Sequence, residues 1–335
     1  MLSFRVLETL SSNRGTKPRI LGFTICAIAL LLVSGASGVV ASTPGSSTSG
    51  ARIPSQIISY LSNKPASSGC MSGAVSPFNI TSTNCPNDGE SITPQAQLTL
   101  DCSTKCFAGT QNTPTSNFIN WWAFANAPSQ NPSNLYYGST SVSYWIGLQN
   151  CVGSCSVTKY LVQAGIYYGA TSTYDSHHPV MFEEFAESSG SCSSWCGNYA
   201  AITPGDSMYF VVSYVSASNY WILYSQDCTP NPCTYSVYYV TVGSGSGEIP
   251  SSSLQNGLAL TEGSGGTTSS NYFPPGTFTF TTMLGQDSNY NYQLGTAYYL
   301  WTPGSAPTAT VGYSTSSCTL GGTQTTCAST SIAIS

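Results

Sequence analysis

The chain has 335 residues, of which only 6% are charged, and its formal net charge at pH 7 is −5. Beyond Ala41, twelve Asp and Glu face four Lys and Arg, which gives a formal charge of 4 − 12 = −8. Without a basic patch, binding to nucleic acid or to an anionic membrane surface is not expected. Thirteen cysteines in so uncharged a chain are unusual for a reducing cytosol. We therefore expect an extracellular or cell-surface protein.

The N-terminal segment explains how the chain leaves the cytoplasm. Residues 1–19 carry four basic side chains and one acidic side chain, so we expect them to stay in the cytoplasm. Residues 20–41 are apolar and contain a run of small residues, which fits a signal peptide with a cleavage site. The same stretch is long enough for a single transmembrane anchor. Secretion and membrane anchoring through residues 20–41 are both open.

The rest of the chain divides by composition into three parts. Residues 42–55 are rich in Thr, Pro, Gly and Ser, which is typical of a flexible linker. Residues 56–115 contain two cysteine pairs, the glycosylation candidate Asn79 and few long apolar runs. We expect this part to be a disulfide-braced extension or a propeptide. Residues 116–335 have a different pattern and form the main domain.

Short runs rich in Tyr, Val, Phe, Trp and Thr, bounded by Gly, Pro, Asn and Ser, recur through the main domain. This spacing predicts antiparallel strands, and no segment has the period of an amphipathic helix. The predicted strands include Phe118–Ala125, Ser141–Leu148, Tyr160–Tyr168, Ser207–Val215, Tyr220–Tyr224, Tyr235–Val242, Thr277–Thr282 and Thr296–Trp301. We expect a monomeric all-β protein, an antiparallel β-sandwich of two packed sheets with a lectin-like or jelly-roll-like arrangement.

Twelve of the thirteen cysteines lie outside the apolar segment and fall into neighbouring pairs. Local pairing predicts six disulfides, which join Cys70 to Cys85, Cys102 to Cys106, Cys151 to Cys155, Cys192 to Cys196, Cys228 to Cys233 and Cys318 to Cys327. The spacings differ from those of zinc sites, and the chain has only two His residues. We therefore expect neither a metal ion nor another cofactor.

Seven segments of the main domain combine Trp, Gly, Gln and Glu with short strand-like runs. They are Asn120–Phe124, Ser143–Gln149, Leu161–Ile166, Met181–Phe185, Ile202–Asp206 followed by Met208–Val215, Leu258–Glu262 and Phe273–Met283. In content and in order they resemble the strands of the glutamic peptidases, the eqolisin or scytalidoglutamic peptidase family. The resemblance covers roughly residues 117–335, and it implies an endopeptidase that acts in acid on unfolded proteins or peptides.

Within this resemblance, Gln163 and Glu262 correspond to the catalytic Gln and Glu of the family. The resemblance implies that Glu262 deprotonates a water molecule and later returns the proton to the leaving amine. The Gln163 amide would stabilise the oxyanion of the tetrahedral intermediate. Strand alternation is compatible with this pairing, because Gln163 and Glu262 each share a strand face with apolar residues of a concave sheet. An unperturbed Glu titrates near pH 4, so the mechanism favours acid.

The resemblance also implies a substrate cleft lined by Trp145, Gln149, Met181, Glu183 and Phe185. Glu183 is expected to support Gln163 from this cleft. Four positions depart from the family pattern: Gln149 replaces an Asp, Met181 replaces a Trp, Leu258 replaces a Glu and Ala259 replaces a Trp. These departures concern the substrate pocket more than the Gln/Glu pair.

Other function classes stay open. The adjacent carboxyl groups of Glu183 and Glu184, in a domain rich in Tyr and Trp, also fit a glycosidase. Adjacent strand residues point to opposite faces, however, so these two groups cannot both flank one bond. The alternative to a peptidase is therefore a non-catalytic sandwich, either lectin-like and carbohydrate-binding or structural at the cell surface.

Overall fold

The computed structural model describes residues 95–136, 140–152, 157–169, 178–187, 196–229, 233–244, 248–320 and 323–335. The predictions for residues 1–19, 20–41 and 42–55 and for Asn79 lie outside these ranges. Within the described ranges, no helix has the length and apolar character needed to cross a lipid bilayer.

The described residues form sixteen strands. The first eight are β1 Gln95–Leu100, β2 Lys105–Thr113, β3 Phe118–Asn126, β4 Ser141–Val152, β5 Val157–Gly169, β6 Val180–Glu187, β7 Cys196–Ala201 and β8 Ser207–Val215. The second eight are β9 Tyr220–Asp227, β10 Thr234–Thr241, β11 Asn256–Ser264, β12 Thr277–Asp287, β13 Tyr292–Gln293, β14 Thr296–Trp301, β15 Pro303–Leu320 and β16 Thr323–Ile334. In the same ranges the helical structure is limited to a 3-10 turn at Ser270–Tyr272.

The strands form two antiparallel sheets. The nine-stranded sheet has the order β1-β15-β16-β12-β3-β8-β9-β10, with β13 beside β12. The seven-stranded sheet has the order β14-β2-β11-β4-β5-β6-β7. The core lies between the sheets, where Phe210 and Trp221 of the first sheet pack in one cluster with Ile146 and Phe185 of the second. The prediction of an all-β sandwich of two packed sheets is confirmed.

The boundary predicted between residues 115 and 116 is wrong. Strand β2 lies between β14 and β11 in the seven-stranded sheet, and β1 pairs with β15 at an edge of the other sheet. The sandwich therefore includes residues from Gln95 onward. The reason is compositional, because Lys105–Thr113 contains Ala, Gly, Gln and Asn rather than the β-branched and aromatic residues that favour strands.

Two predicted disulfides are confirmed, and one is contradicted. Cys102–Cys106 and Cys318–Cys327 are bonded, whereas Cys228 and Cys233 are free thiols. Cys228 directly follows β9, and Cys233 directly precedes β10, at the loop end of the hairpin that these two strands form. Their thiols lie close enough to interact, and burial together with that interaction raises the pKa of Cys228.

The other three predicted disulfides are not among the bonds that the structure describes. Each involves residues outside the described ranges, or side chains outside the described ones, so all three stay predictions from spacing. They are the bond of Cys70 with Cys85, the bond of Cys151 with Cys155, and the bond of Cys192 with Cys196.

A buried carboxyl group lies in the core between the sheets. The Glu183 side chain is 0% exposed, and the Ser236 hydroxyl on β10 donates to Glu183 Oε2 over 2.5 Å. Burial raises the pKa of Glu183 to about 8, although hydrogen bonds from Ser225 and Ser236 act in the opposite direction. Met181 and Phe185 share this inner face in the core cluster. Glu183 is therefore a protonated core group at neutral and acidic pH.

Glu183 makes the stability of the fold depend on pH. In the unfolded chain its carboxyl group loses a proton near the ordinary value of 4.5, whereas in the fold it does so near 8. Between these values the unfolded state binds fewer protons, so stability falls as the pH rises. We expect the full chain to melt at a lower temperature at pH 8.5 than at pH 4.5. Glu183→Gln should reduce this difference, and an unchanged difference in the folded variant would contradict the assignment.

The thiol state of Cys228 and Cys233 distinguishes the structure from the sequence prediction. Alkylation of the unreduced chain, followed by peptide mapping by mass spectrometry, should label both residues. The cysteines of the two observed disulfides should react only after reduction. Complete protection of Cys228 and Cys233 before reduction would instead support the disulfide predicted for them from spacing.

Candidate functional site

The outer face of the seven-stranded sheet has an apolar floor. It consists of large side chains from neighbouring strands that share one buried cluster, namely Trp145, Leu161, Phe182, Leu258, Leu260 and Leu300. These residues alternate along their strands with those that point into the core, as the period of a β-strand requires. Among the polar side chains on this face, those at three positions form the candidate site.

Gln163 on β5 and Glu184 on β6 form the first part of the site. The two residues lie directly opposite each other in the strand register. Gln163 Nε2 donates a hydrogen bond of 2.6 Å to Glu184 Oε2. Their side chains are 0% and 2% exposed, so the pair is removed from solvent. The Gln163 amide is thereby fixed in orientation by a carboxyl group.

Glu262 on β11 forms the second part, and its side chain is 6% exposed. Gln163 pairs with Gly147 of β4, and Glu262 pairs with Ser143 of the same strand, so their positions differ by 147 − 143 = 4 residues. The intervening outer-face residue of β4 is Trp145, whose indole N–H interacts with the Glu262 carboxyl group. Trp145 thus lies between the two residues predicted to form a direct pair.

Two glycines make space for Trp145. A Cβ atom at Gly165 would lie 2.6 Å from the Trp145 Cβ and 2.2 Å from the Tyr144 carbonyl oxygen. A Cβ atom at Gly147 would lie 3.1 Å from Trp145 Cζ3 and 3.2 Å from the Gln163 Cβ. Larger residues at these positions would displace the indole, and through it the geometry of the site.

Burial dominates the ionisation of both carboxyl groups. It raises the pKa of Glu262 to about 8, while Lys105 and the Trp145 indole favour the ionised form. It also raises the pKa of Glu184 well above the ordinary value, a change that the Gln163 hydrogen bond opposes and the Glu262 charge reinforces. The two groups therefore interact electrostatically, and ionisation of one disfavours ionisation of the other.

Three buried polar atoms of the site have no hydrogen-bond partner within the described part of the chain. They are Gln163 Oε1, Glu184 Oε1 and Glu262 Oε2. Buried polar atoms usually have a hydrogen-bond partner in the protein or in bound water, so such a group of atoms indicates a place for a polar ligand. Tyr167 and Tyr199 both interact electrostatically with Glu184, and both are partly exposed.

The predicted cleft is only partly on this face. Trp145 and Gln149 lie here, and Gln149 Nε2 donates to Gln111 Oε1 over 3.1 Å. The prediction for Met181, Glu183 and Phe185 was wrong, because the register directs these three side chains into the core. The carboxyl group that supports Gln163 is therefore Glu184, not Glu183.

Sequence reasoning considered Glu184 only as one of two adjacent carboxyl groups, not as the partner of Gln163, and it missed Lys105. The two faces of β6 have the same pattern, because each carries one Glu among apolar residues: residues 181, 183 and 185 on one face, and residues 182, 184 and 186 on the other. Alternation alone therefore does not predict which Glu faces outward. Lys105 lies in a part of the chain that was not assigned to the sandwich. Its one visible signal is its position beside Cys106, as a rare cation in an almost uncharged domain.

No cluster of three or more His, Cys, Asp or Glu side chains in the described ranges is placed to hold a metal ion. Comparison with known proteins found no matching family model and no matching curated protein. Among solved structures, this chain is similar to scytalido-glutamic peptidase in complex with a transition state analog inhibitor, at 15% sequence identity. The match covers 70% of this chain and 98% of that chain, with a TM-score of 0.38.

Proposed function

We propose that the sandwich is a hydrolase that cleaves peptide bonds of unfolded proteins or peptides on the outer face of its seven-stranded sheet. The observation that carries this proposal is the buried amide–carboxyl pair of Gln163 and Glu184, on the same face as the second carboxyl group of Glu262. The ordered resemblance of seven sequence segments to glutamic peptidases supports the same reaction. The two disulfides support action outside the cytosol.

The three side chains supply the groups that peptide hydrolysis requires. The Glu262 carboxylate takes a proton from water, and the water oxygen forms a bond to the carbonyl carbon of the substrate. The carbonyl π electrons move to oxygen, and that oxyanion accepts hydrogen bonds from the second N–H of Gln163 Nε2 and from protonated Glu184. The C–N bond then breaks, and the proton held by Glu262 passes to the amine nitrogen. The products are a carboxylic acid and an amine.

The composition of the site favours peptide over carbohydrate chemistry. Peptide hydrolysis develops negative charge on oxygen, which an amide N–H stabilises, whereas glycoside hydrolysis passes through an oxocarbenium-like state. A lectin-like surface also needs exposed aromatic rings, but Trp121, Trp145 and Trp221 are each 0% exposed. In the described part of the chain, the exposed large hydrophobic side chains are Leu135 and Tyr290.

Substitutions at the three positions test the assigned roles. Glu262→Gln keeps the shape but removes the base, and it should abolish cleavage of an unfolded protein substrate. Gln163→Ala should reduce kcat/KM on the order of a hundredfold, the usual cost of one oxyanion donor. Glu184→Leu removes both the acceptor that orients the Gln163 amide and a hydrogen-bond donor to the oxyanion, and it should reduce kcat/KM by about a hundredfold. Cleavage is measured from the peptides released, by mass spectrometry.

Glu183→Gln is the matched control for these variants. It changes a neighbouring carboxyl group of similar burial on the opposite face of the same strand, so kcat/KM should stay close to that of the wild type. Equal losses in the folded Glu183→Gln and Glu262→Gln variants would contradict the proposed site. Cleavage of oligosaccharides in place of peptides would support the glycosidase alternative.

The pH dependence of cleavage follows from Glu262. Its base form is populated only as the pH approaches and passes its pKa of about 8. We therefore expect kcat/KM to rise between pH 5 and pH 8, rather than to peak in acid as the resemblance implies. A maximum near pH 4 would contradict the ionisation described for Glu262 and would support the acid endopeptidase prediction. The measurement is initial rate against pH with one peptide substrate.

A further inference from the structure

We infer that Lys105 is a positioning residue that favours the ionised, proton-accepting form of Glu262. This inference rests on the proposed function for its role in catalysis, but the electrostatic pairing itself can be measured without activity. Neither the composition nor the resemblance to glutamic peptidases assigned a role to Lys105.

The strand register places Lys105 next to Glu262. On β2 and β11, Phe107 lies opposite Glu262 and Lys105 lies opposite Ser264. Residues two apart on a strand share a face, so Lys105 and Glu262 are diagonal neighbours on the outer face. Diagonal cross-strand positions are about 7–8 Å apart, which the long Lys and Glu side chains can span.

The backbone around Lys105 is braced from both sides. The Cys102–Cys106 disulfide closes a short loop that contains Lys105. Gly265, which directly follows β11, holds this loop in place, because its N–H donates to the Thr104 carbonyl oxygen over 2.9 Å. Gly263 permits the close approach, since a Cβ atom there would lie 3.2 Å from Cys106 Sγ and 2.2 Å from Thr267 Oγ1. The disulfide thus fixes the position from which Lys105 acts.

Lys105 is the positive charge that acts on the site. Among the side chains that the structure describes, it is the only Lys or Arg. The other titratable groups facing Glu262 are Tyr167 from β5 and Glu184 from β6, while Tyr199 from β7 interacts with Glu184. Burial lowers the pKa of Lys105, and the charges of Glu262 and Glu184 act in the opposite direction. The partly buried Lys105 cation thus offsets part of the free-energy cost of removing the Glu262 anion from water.

Titration of the carboxyl groups tests the pairing directly. The full chain is labelled with ¹³C at the Glu carboxyl carbon, and the Glu262 and Glu183 signals are assigned from Glu262→Gln and Glu183→Gln. In Lys105→Met, the midpoint of Glu262 should move to higher pH by about one unit or more, because an opposite charge nearby has been removed. Lys105→Arg keeps the charge and should leave the midpoint close to that of the wild type.

Glu183 is an internal control in the same spectra. It is equally buried, but it lies on the opposite face and does not interact with Lys105, so its midpoint should not move. An unchanged Glu262 midpoint in folded Lys105→Met would overturn the inference, as would equal shifts of both residues. If Lys105→Met does not fold, the reciprocal measurement decides: in Glu262→Gln the Lys105 amine should titrate at lower pH, and no change there overturns the pairing.

Activity measurements distinguish this inference from the proposed function. If Lys105 acts through Glu262, Lys105→Met should move the acid limb of the kcat/KM profile to higher pH by the same amount as the Glu262 midpoint. Movement of the midpoint in a chain without peptidase activity would support the pairing and contradict the proposed function. Loss of activity in Lys105→Met with an unmoved acid limb would assign Lys105 a merely structural role.

Discussion

Removal of three carboxyl groups from water determines both the ionisation of the candidate site and the pH dependence of the fold. Glu183, Glu184 and Glu262 are all at least nine-tenths buried, in a domain where cations are scarce. Burial of an unpaired charge is so unfavourable that such a group protonates or acquires a partner. Each of the three carboxyl groups has different interaction partners. They are serine hydroxyls for Glu183, an amide for Glu184, and an ammonium group together with an indole for Glu262.

Strand alternation separates the buried carboxyl groups into one that lies in the core and two that lie at the candidate site. Adjacent residues on β6 point to opposite faces, so Glu183 belongs to the core and Glu184 to the site. The same alternation along β4 places Trp145 between Gln163 and Glu262, where Gly147 and Gly165 leave room for its ring. The core group favours folding in acid, whereas the base at the site needs a higher pH to ionise. Stability and activity are therefore expected to have opposite pH dependences.

Much of the fold follows from the sequence, because most strands carry β-branched and aromatic residues at alternating positions. Strands such as β3, β8 and β14 lie where these runs predict them. Strand β2 was missed because pairing on both sides, rather than its own composition, makes it a strand. Alternation alone also predicts that Gln163 shares a strand face with apolar residues such as Leu161.

The chemistry of the site is harder to predict from the sequence. Which face of β6 points outward depends on its register with β5, and no local pattern specifies that register. The pKa of Glu262 depends on burial and on Lys105, which are both tertiary effects. A sequence can therefore nominate Gln163 and Glu262, but the identity of the carboxyl group beside Gln163 and the pH at which Glu262 ionises follow from packing.

In the proposed mechanism, Gln163, Glu184 and Glu262 act together on one tetrahedral intermediate. A phosphinic peptide is a stable mimic of that intermediate, and a crystal structure of its complex with the full chain would show which side chains bind it. The phosphinyl oxygens should lie on the outer face of the seven-stranded sheet, within hydrogen-bond distance of the Gln163 amide and of the Glu184 and Glu262 carboxyl groups. A peptide bound elsewhere, or bound to this face without contact to Glu262, would contradict this mechanism.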